Sequence, residues 1–295
     1  MLRQHYFSMV EQTFNERVKQ IDEVISKHPE LTQVLNLYKD LFKAKIEIEE
    51  DRNKGLSLGL SGELINSIQE KAWRERKPMT YFMDEISFST EKILKTISLA
   101  VDVLHKHGLD DKLKNIDVLP RNNDLINKLI KAALRNDVDV YIDVSNNLGI
   151  DSASLSLIFS IVVQPFLENL SRSVNKALLE EWFNTLCPIC GRRSYIAKVK
   201  NKKKYLVCPL CGTEYRIEHL LCVNCGNRDP YTLYFLIDER NPAYKIDVCM
   251  KCRCYVKVID ENLLQENIPK GLEDILTWEL DKVAEYKGLA RITYH

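Results

Sequence analysis

The stretch CPICGRRSYIAKVKNKKKYLVCPLCG, residues 187–212, holds two copies of the phrase CPxCG around a lysine-rich segment. CVNCG follows at 222–226 and CMKC at 249–252. Two residues between cysteines let a tight turn aim both sulfurs at one ion, and a glycine after the second cysteine supplies the relaxed backbone such a turn needs. Gly191, Gly212 and Gly226 occupy that position. Two knuckles complete a tetrahedral four-sulfur site, so the eight cysteines Cys187, Cys190, Cys208, Cys211, Cys222, Cys225, Cys249 and Cys252 are expected to make two. Pairing in sequence order closes gaps of 17 residues (191–207) and 23 residues (226–248), while interleaved pairing needs gaps of 31 and 37. The shorter closures and the hairpin texture between the knuckles favour the sequential scheme.

All nine cysteines lie between Cys187 and Cys254 in a chain of 295 residues. The start, MLRQHYFSMVEQTF, has no apolar signal core, so the expected compartment is the cytoplasm, where thiols stay reduced. Metal ligation therefore leads over structural disulfides. It also leads over dithiol exchange, which commonly uses a single CxxC at a strand-to-helix junction. Four sulfur ligands suit zinc or a single iron, and spacing does not separate the two. Such sites are closed, so they fold the chain rather than bind substrate. Cys254, the ninth thiol, reads as a packing residue, and His219 as a surface histidine.

Outward from the knuckles the texture is of two kinds. Upstream, apolar residues recur at helical spacing: Leu31, Val34, Leu35, Tyr38, Leu41 and Phe42 share one face. Further helices are expected at SGELINSIQEKAW (Ser61 as N-cap), STEKILKTISLAVDVLHKHG (Thr90 as N-cap, Gly108 as C-cap), DLINKLIKAALRN and the segment 151–183. Pro165 is expected to kink or divide that last segment. His105 and His107 are explained as cations near a helix C-terminus. Loops are expected at 51–60 and around 117–124. The run LSLIFSIVV, 155–163, is too short to span a membrane and reads as a buried helix. Downstream, YIAKVK, KKYLVC, TEYRIEHL, YTLYFLID, YKIDVC and CYVKVID read as strands, followed by a helix in GLEDILTWELDKVAEYKG.

Residues 187–258 carry 14 Lys plus Arg against 6 Asp plus Glu, within a chain of zero formal net charge. Lys198, Lys200, Lys202, Lys203 and Lys204 are read as a solvated hairpin tip that offsets anionic metal centres, with docking to an acidic protein surface or nucleic acid as the alternative. The chain holds no phosphate-binding glycine loop, no dinucleotide fingerprint and no nucleophile with a partnered histidine, so an enzyme is not expected.

The order of residues carries one more reading. YLVCPLCGTEYRIEHLLCVNCG and DVCMKCRCYVKVID, with weaker stretches HPELTQVLNLYKDLF and QPFLENLSRSVNKALLEEWFNTLCPICG, resemble the FdhE-type formate dehydrogenase accessory proteins over most of the chain. That resemblance implies an α+β multi-domain chain. An all-helical domain (1–182) precedes two small rubredoxin-like or zinc-ribbon-like four-cysteine modules (183–221 and 222–262) and a C-terminal helix (263–295). It implies a cytoplasmic maturation factor that binds the catalytic subunit of formate dehydrogenase and carries the eight knuckle cysteines as ligands of two metal ions, iron or zinc. No membrane span is expected and nucleic acid is not favoured as a partner. The alternatives are a zinc-ribbon nucleic-acid-binding or regulatory adaptor and a rubredoxin-like electron-transfer protein.

Overall fold

The structure is a computed structural model and describes residues 2–50, 62–83, 90–113, 115–116, 119 and 123–292. The loop expected at 51–60, the proposed cap Ser61 and much of the loop at 117–124 lie outside these residues.

The helical part contains α1 (Leu2–Lys27), α2 (Thr32–Glu50), α3 (Gly62–Glu75), α4 (Thr90–Lys106), α5 (Asn123–Arg135), α6 (Val138–Leu148), α7 (Ser152–Ser173) and the short α8 (Lys176–Glu180). Helix α7 is central, packed by α2, α4, α5 and α6. It starts where the Asp151 carboxylate accepts the Ser154 N–H at 2.8 Å. Leu155, Ile158, Phe159 and Leu167 are fully buried, each contributing about 1.5–3 kcal/mol relative to exposure. That packing carries the helix straight through Pro165, and the break falls instead at Val174, before Asn175 caps α8. By length and composition α7 could cross a membrane, at mean hydropathy 1.4, but 61% of that window is buried inside the protein. Gly108 follows α4 in the left-handed conformation, as its place in HKHG predicted. Helix α6 was not anticipated: VDVYIDV alternates apolar and polar residues like a strand, whereas Tyr141 and Val144, three apart, are the residues it buries.

Strands β1 (Ile196–Lys200), β2 (Lys203–Val207), β3 (Glu214–Ile217), β4 (Leu233–Ile237), β5 (Tyr244–Cys249) and β6 (Cys254–Asp260) fall on the six strand segments read from the sequence. They form one sheet in the order β3-β2-β1-β6-β5-β4, and β7 (Ala290–Arg291) adds to β6. The two hairpin units are therefore joined edge to edge, with β1 parallel to β6 and Ala197 opposite Val258. One face of the joined sheet, with Ala197, Leu206, Tyr215 and Val258, belongs to the same buried cluster as the helical domain. The other carries Ile246, Val248 and Tyr255 against the C-terminal helices α9 (Glu273–Leu276) and α10 (Trp278–Tyr286), which the sequence presented as one helix.

Candidate metal centres

The first three knuckles repeat one backbone design. Gly191, Gly212 and Gly226 sit at φ of +74°, +63° and +71°. Their N–H groups donate to the carbonyls of Cys187, Cys208 and Cys222 at 3.0, 2.9 and 2.9 Å. The N–H groups of those same cysteines donate to Arg192, Thr213 and Asn227 carbonyls at 3.0, 2.9 and 2.8 Å. The fourth knuckle places Arg253 at the glycine position, with φ +55°. Left-handed backbone costs a side-chain-bearing residue about 1–2 kcal/mol. The Arg253 guanidinium offsets this by donating to the carbonyls of Lys287 and Gly288, both at 3.2 Å, just past the end of α10.

Sequential pairing is what the fold adopts. Cys187 Sγ lies 3.5 Å from Cys211, and Cys190 Sγ lies 3.4 Å from Cys208 and 4.0 Å from Cys211. In the second group Cys222 lies 3.5 Å from Cys252, and Cys225 lies 3.8 Å from Cys249. Within each group of four all sulfurs are within 4.8 Å of one another. A disulfide needs about 2.05 Å, and all nine cysteines are free thiols. A metal bound by four sulfurs at ~2.3 Å requires sulfur edges of about 3.8 Å, so both cages have the dimensions and donor set for zinc or a single iron.

The electrostatics fit a cation. Burial pushes the Cys187 and Cys211 thiols well up from their ordinary value, while the neighbouring thiols of Cys187, Cys208 and Cys211 hold Cys190 well down. At the second cage burial opposes ionisation of Cys252, but the Cys254 N–H and the Asn224 side chain overcome it and lower that thiol to about 7. Ligating sulfurs must be thiolates, and a divalent ion supplies the charge that makes four adjacent thiolates tolerable.

The cages differ in their surroundings. The first is fully buried, and Thr213 Oγ1, 2.9 Å from Cys211 Sγ, donates on to Ser171 of α7 at 2.7 Å. Its first knuckle is pinned to the helical domain: Met79 N–H donates to Pro188 O at 2.8 Å and Thr80 N–H to Ile189 O at 3.1 Å. Arg192 donates to Ala133 O and Ser160 Oγ, both at 3.2 Å. In the second cage Cys225 is exposed and Cys252 half-buried, and Asn227 Nδ2 donates to Cys249 Sγ at 3.5 Å. Cys254 packs beside this cage and receives Asn224 Nδ2 at 3.3 Å. His219 is on the surface with Nε2 2.9 Å from Lys202 O, away from the sulfurs. Thr213, Asn224 and Asn227 were not singled out from the sequence; their signal is position, one or two residues from a ligand.

Two readings of charged residues need correcting. The lysine segment is not a solvated tip. Lys198, 6% exposed, pairs with Glu214, Glu261 and Glu273 at 3.2, 3.2 and 2.9 Å. Lys204, 2% exposed, pairs with Asp247 at 2.5 Å, Lys200 with Glu214 at 2.7 Å, and Lys203 with Glu180 at 3.3 Å. Burial opposes ionisation of Glu214, but Lys200 and Lys198 hold its carboxyl below the usual range. Nor are the two helix-terminal histidines explained by the helix end alone: His105 meets Asp110 at 2.6 Å and His107 meets Asp40 at 2.8 Å.

A helical domain closed onto a sheet that bears two four-thiol cages defines a double-knuckle tetrathiolate protein, and comparison with known proteins gives that class a family. No family model matches the chain. An FdhE homologue of Aquifex aeolicus is 26% identical over 274 residues, 90% of this chain and 88% of that protein. Shorter matches, to an FdhE homologue of Enterobacter sp. and to FdhE of Escherichia coli O1:K1, are 32% and 31% identical over 112 residues, 36% of this chain and 35% of each relative. The crystal structure of FdhE from Pseudomonas aeruginosa superposes with a TM-score of 0.63 over 94% of this chain and 93% of that one, at 16% identity. The chain belongs to the FdhE family.

Proposed function

We propose that this protein is a cytoplasmic accessory factor that assists formation of active formate dehydrogenase by binding its catalytic subunit, and that it does so without catalysing a reaction itself. Cys187, Cys190, Cys208 and Cys211 hold one metal ion, and Cys222, Cys225, Cys249 and Cys252 hold a second, each iron or zinc. The carrying observation is the pair of closed tetrathiolate cages in a chain related to FdhE proteins along 90% of its length. Four protein ligands leave no open position for substrate, so the metals supply folding energy and rigidity. The residues then do the rest: Thr213 and Asn227 hold sulfurs in place, and the 79–80 backbone locks the first knuckle to the helical domain. A nucleic-acid adaptor is less well supported, because four lysines of the hairpin are already committed to carboxylates.

The test is capture of a formate dehydrogenase catalytic subunit by the metal-loaded chain under reducing conditions. Retention that survives high salt and is lost on metal removal is expected. No retention by the metal-loaded chain overturns the proposal.

A further inference from the structure

The sheet has two edges, and they are protected differently. At one edge β3 carries Glu214 and Arg216 and is packed by α8. At the other, β4 pairs with β5 alone among the described strands. Its sequence, Leu-Tyr-Phe-Leu-Ile, has no charge and no proline. A free edge presents unpaired backbone groups that take up another strand, and proteins commonly blunt it with charge, proline or a covering element. β4 has neither charge nor proline, and no element covers it as α8 covers β3.

The register fixes which groups are free. Met250 N–H donates to Thr232 O at 2.9 Å and Asp238 N–H to Tyr244 O at 3.1 Å, so the even-numbered residues of β4 bond to β5. Antiparallel pairing alternates, so the N–H and C=O groups of Leu233, Phe235 and Ile237 point away from the sheet. Around them the surface is apolar: Phe235 is 58% exposed, Ile237 49% and Tyr234 40%.

We infer that β4 is a homodimer interface, in which two copies of the chain pair antiparallel through β4 across a two-fold axis at Phe235. A second copy is the occupant the strand fits, because a strand apolar at all five positions is its own complement. In this register Phe235 meets Phe235 of the second copy, Leu233 meets Ile237, and Tyr234 meets Leu236. No charge faces a like charge along the shared strands, and the outward groups of Leu233, Phe235 and Ile237 close against their symmetry mates. The isologous contact also closes the assembly at two copies, since pairing consumes both free edges.

The experiment is light scattering on the full-length, metal-loaded chain from nanomolar to high micromolar concentration, with two variants. Phe235→Pro removes an N–H that β5 does not use, a change an edge strand tolerates. Phe235→Glu sets carboxylate against carboxylate across the axis, while Lys245, 5.5 Å from the Phe235 ring, accommodates it within its own chain. The wild type is expected at twice the chain mass. Both variants are expected at one chain mass, with unchanged far-UV circular dichroism and metal content and at least a tenfold weaker dimer. Hydrogen exchange at the Phe235 and Ile237 amides is expected to accelerate on dilution of the wild type. A wild type that is monomeric at every concentration, or a dimer that persists in either variant, overturns the inference. A monomeric wild type whose capture of a catalytic subunit is abolished by Phe235→Glu also overturns it, and assigns the edge to a foreign strand. Oligomeric mass is read on the protein alone, so its failure is distinct from failure of the accessory role.

Discussion

Alanine at two knuckle glycines separates the cost of the turn from the cost of docking it. Gly191 and Gly226 have nearly the same backbone, at φ +74° and +71°. A Cβ at Gly226 would meet nothing within 4 Å, whereas one at Gly191 would lie 3.0 Å from Pro78 Cγ, on the segment that grips the first knuckle. Left-handed alanine costs about 1–2 kcal/mol, and the stiffer unfolded chain returns about 0.4–1 kcal/mol, so Gly226→Ala is expected to destabilise by on the order of 1 kcal/mol. Gly191→Ala adds an overpacking cost of about 1–3 kcal/mol, for a total of roughly 2–4 kcal/mol. Urea denaturation followed by tryptophan fluorescence suits the comparison. Trp182 donates to Leu186 O at 2.7 Å beside the first knuckle, and its ring lies 6.0 Å from that of Trp73. Adding Pro78→Ala to Gly191→Ala is expected to recover most of the difference. Equal costs at the two glycines, or no recovery without Pro78, would refute the idea that the first cage is rigidly seated on the helical domain.

Other expectations follow from the charged interior. Lys198→Met leaves Glu273, 3% exposed, without its ammonium and is expected to cost about 3–5 kcal/mol in urea denaturation; a second change, Glu273→Gln, should return part of it. Acid should also destabilise the fold. For Asp274, burial opposes ionisation, but Arg291 and Lys257 hold its carboxyl below the usual range, and Glu214 is likewise held down. Depressed carboxylates contribute stability that is full above their unfolded values and lost as pH falls through the folded ones, so midpoints should drop below about pH 4, and Lys257→Met should flatten that drop. Arg253→Gly should be near neutral in thermal unfolding, because relief of its φ of +55° is offset by loss of its bonds to the Lys287 and Gly288 carbonyls.

What the residues disclosed and what they hid divides along sequence distance. The knuckles, their sequential pairing and all six strands were legible, because each rests on spacing within about two dozen residues. The joining of β1 to β6 was not, since it depends on segments about 60 residues apart that carry no mark of their partnership. The buried lysines were misread for the same reason: a run of cations looks solvated until Glu261, Glu273 and Asp247 arrive from elsewhere in the chain. Pro165 misled because propensity was weighed without the packing around α7, and Arg253 was hidden because its left-handed turn is supported by carbonyls 34 and 35 residues away.

The account stands on two closed all-sulfur cages, and metal K-edge X-ray absorption on protein purified under reducing conditions tests it most directly. A first shell of four sulfurs at about 2.3 Å is predicted for the bound metal. A shell containing nitrogen or oxygen ligands, or a folded protein that carries no metal at all, would contradict it.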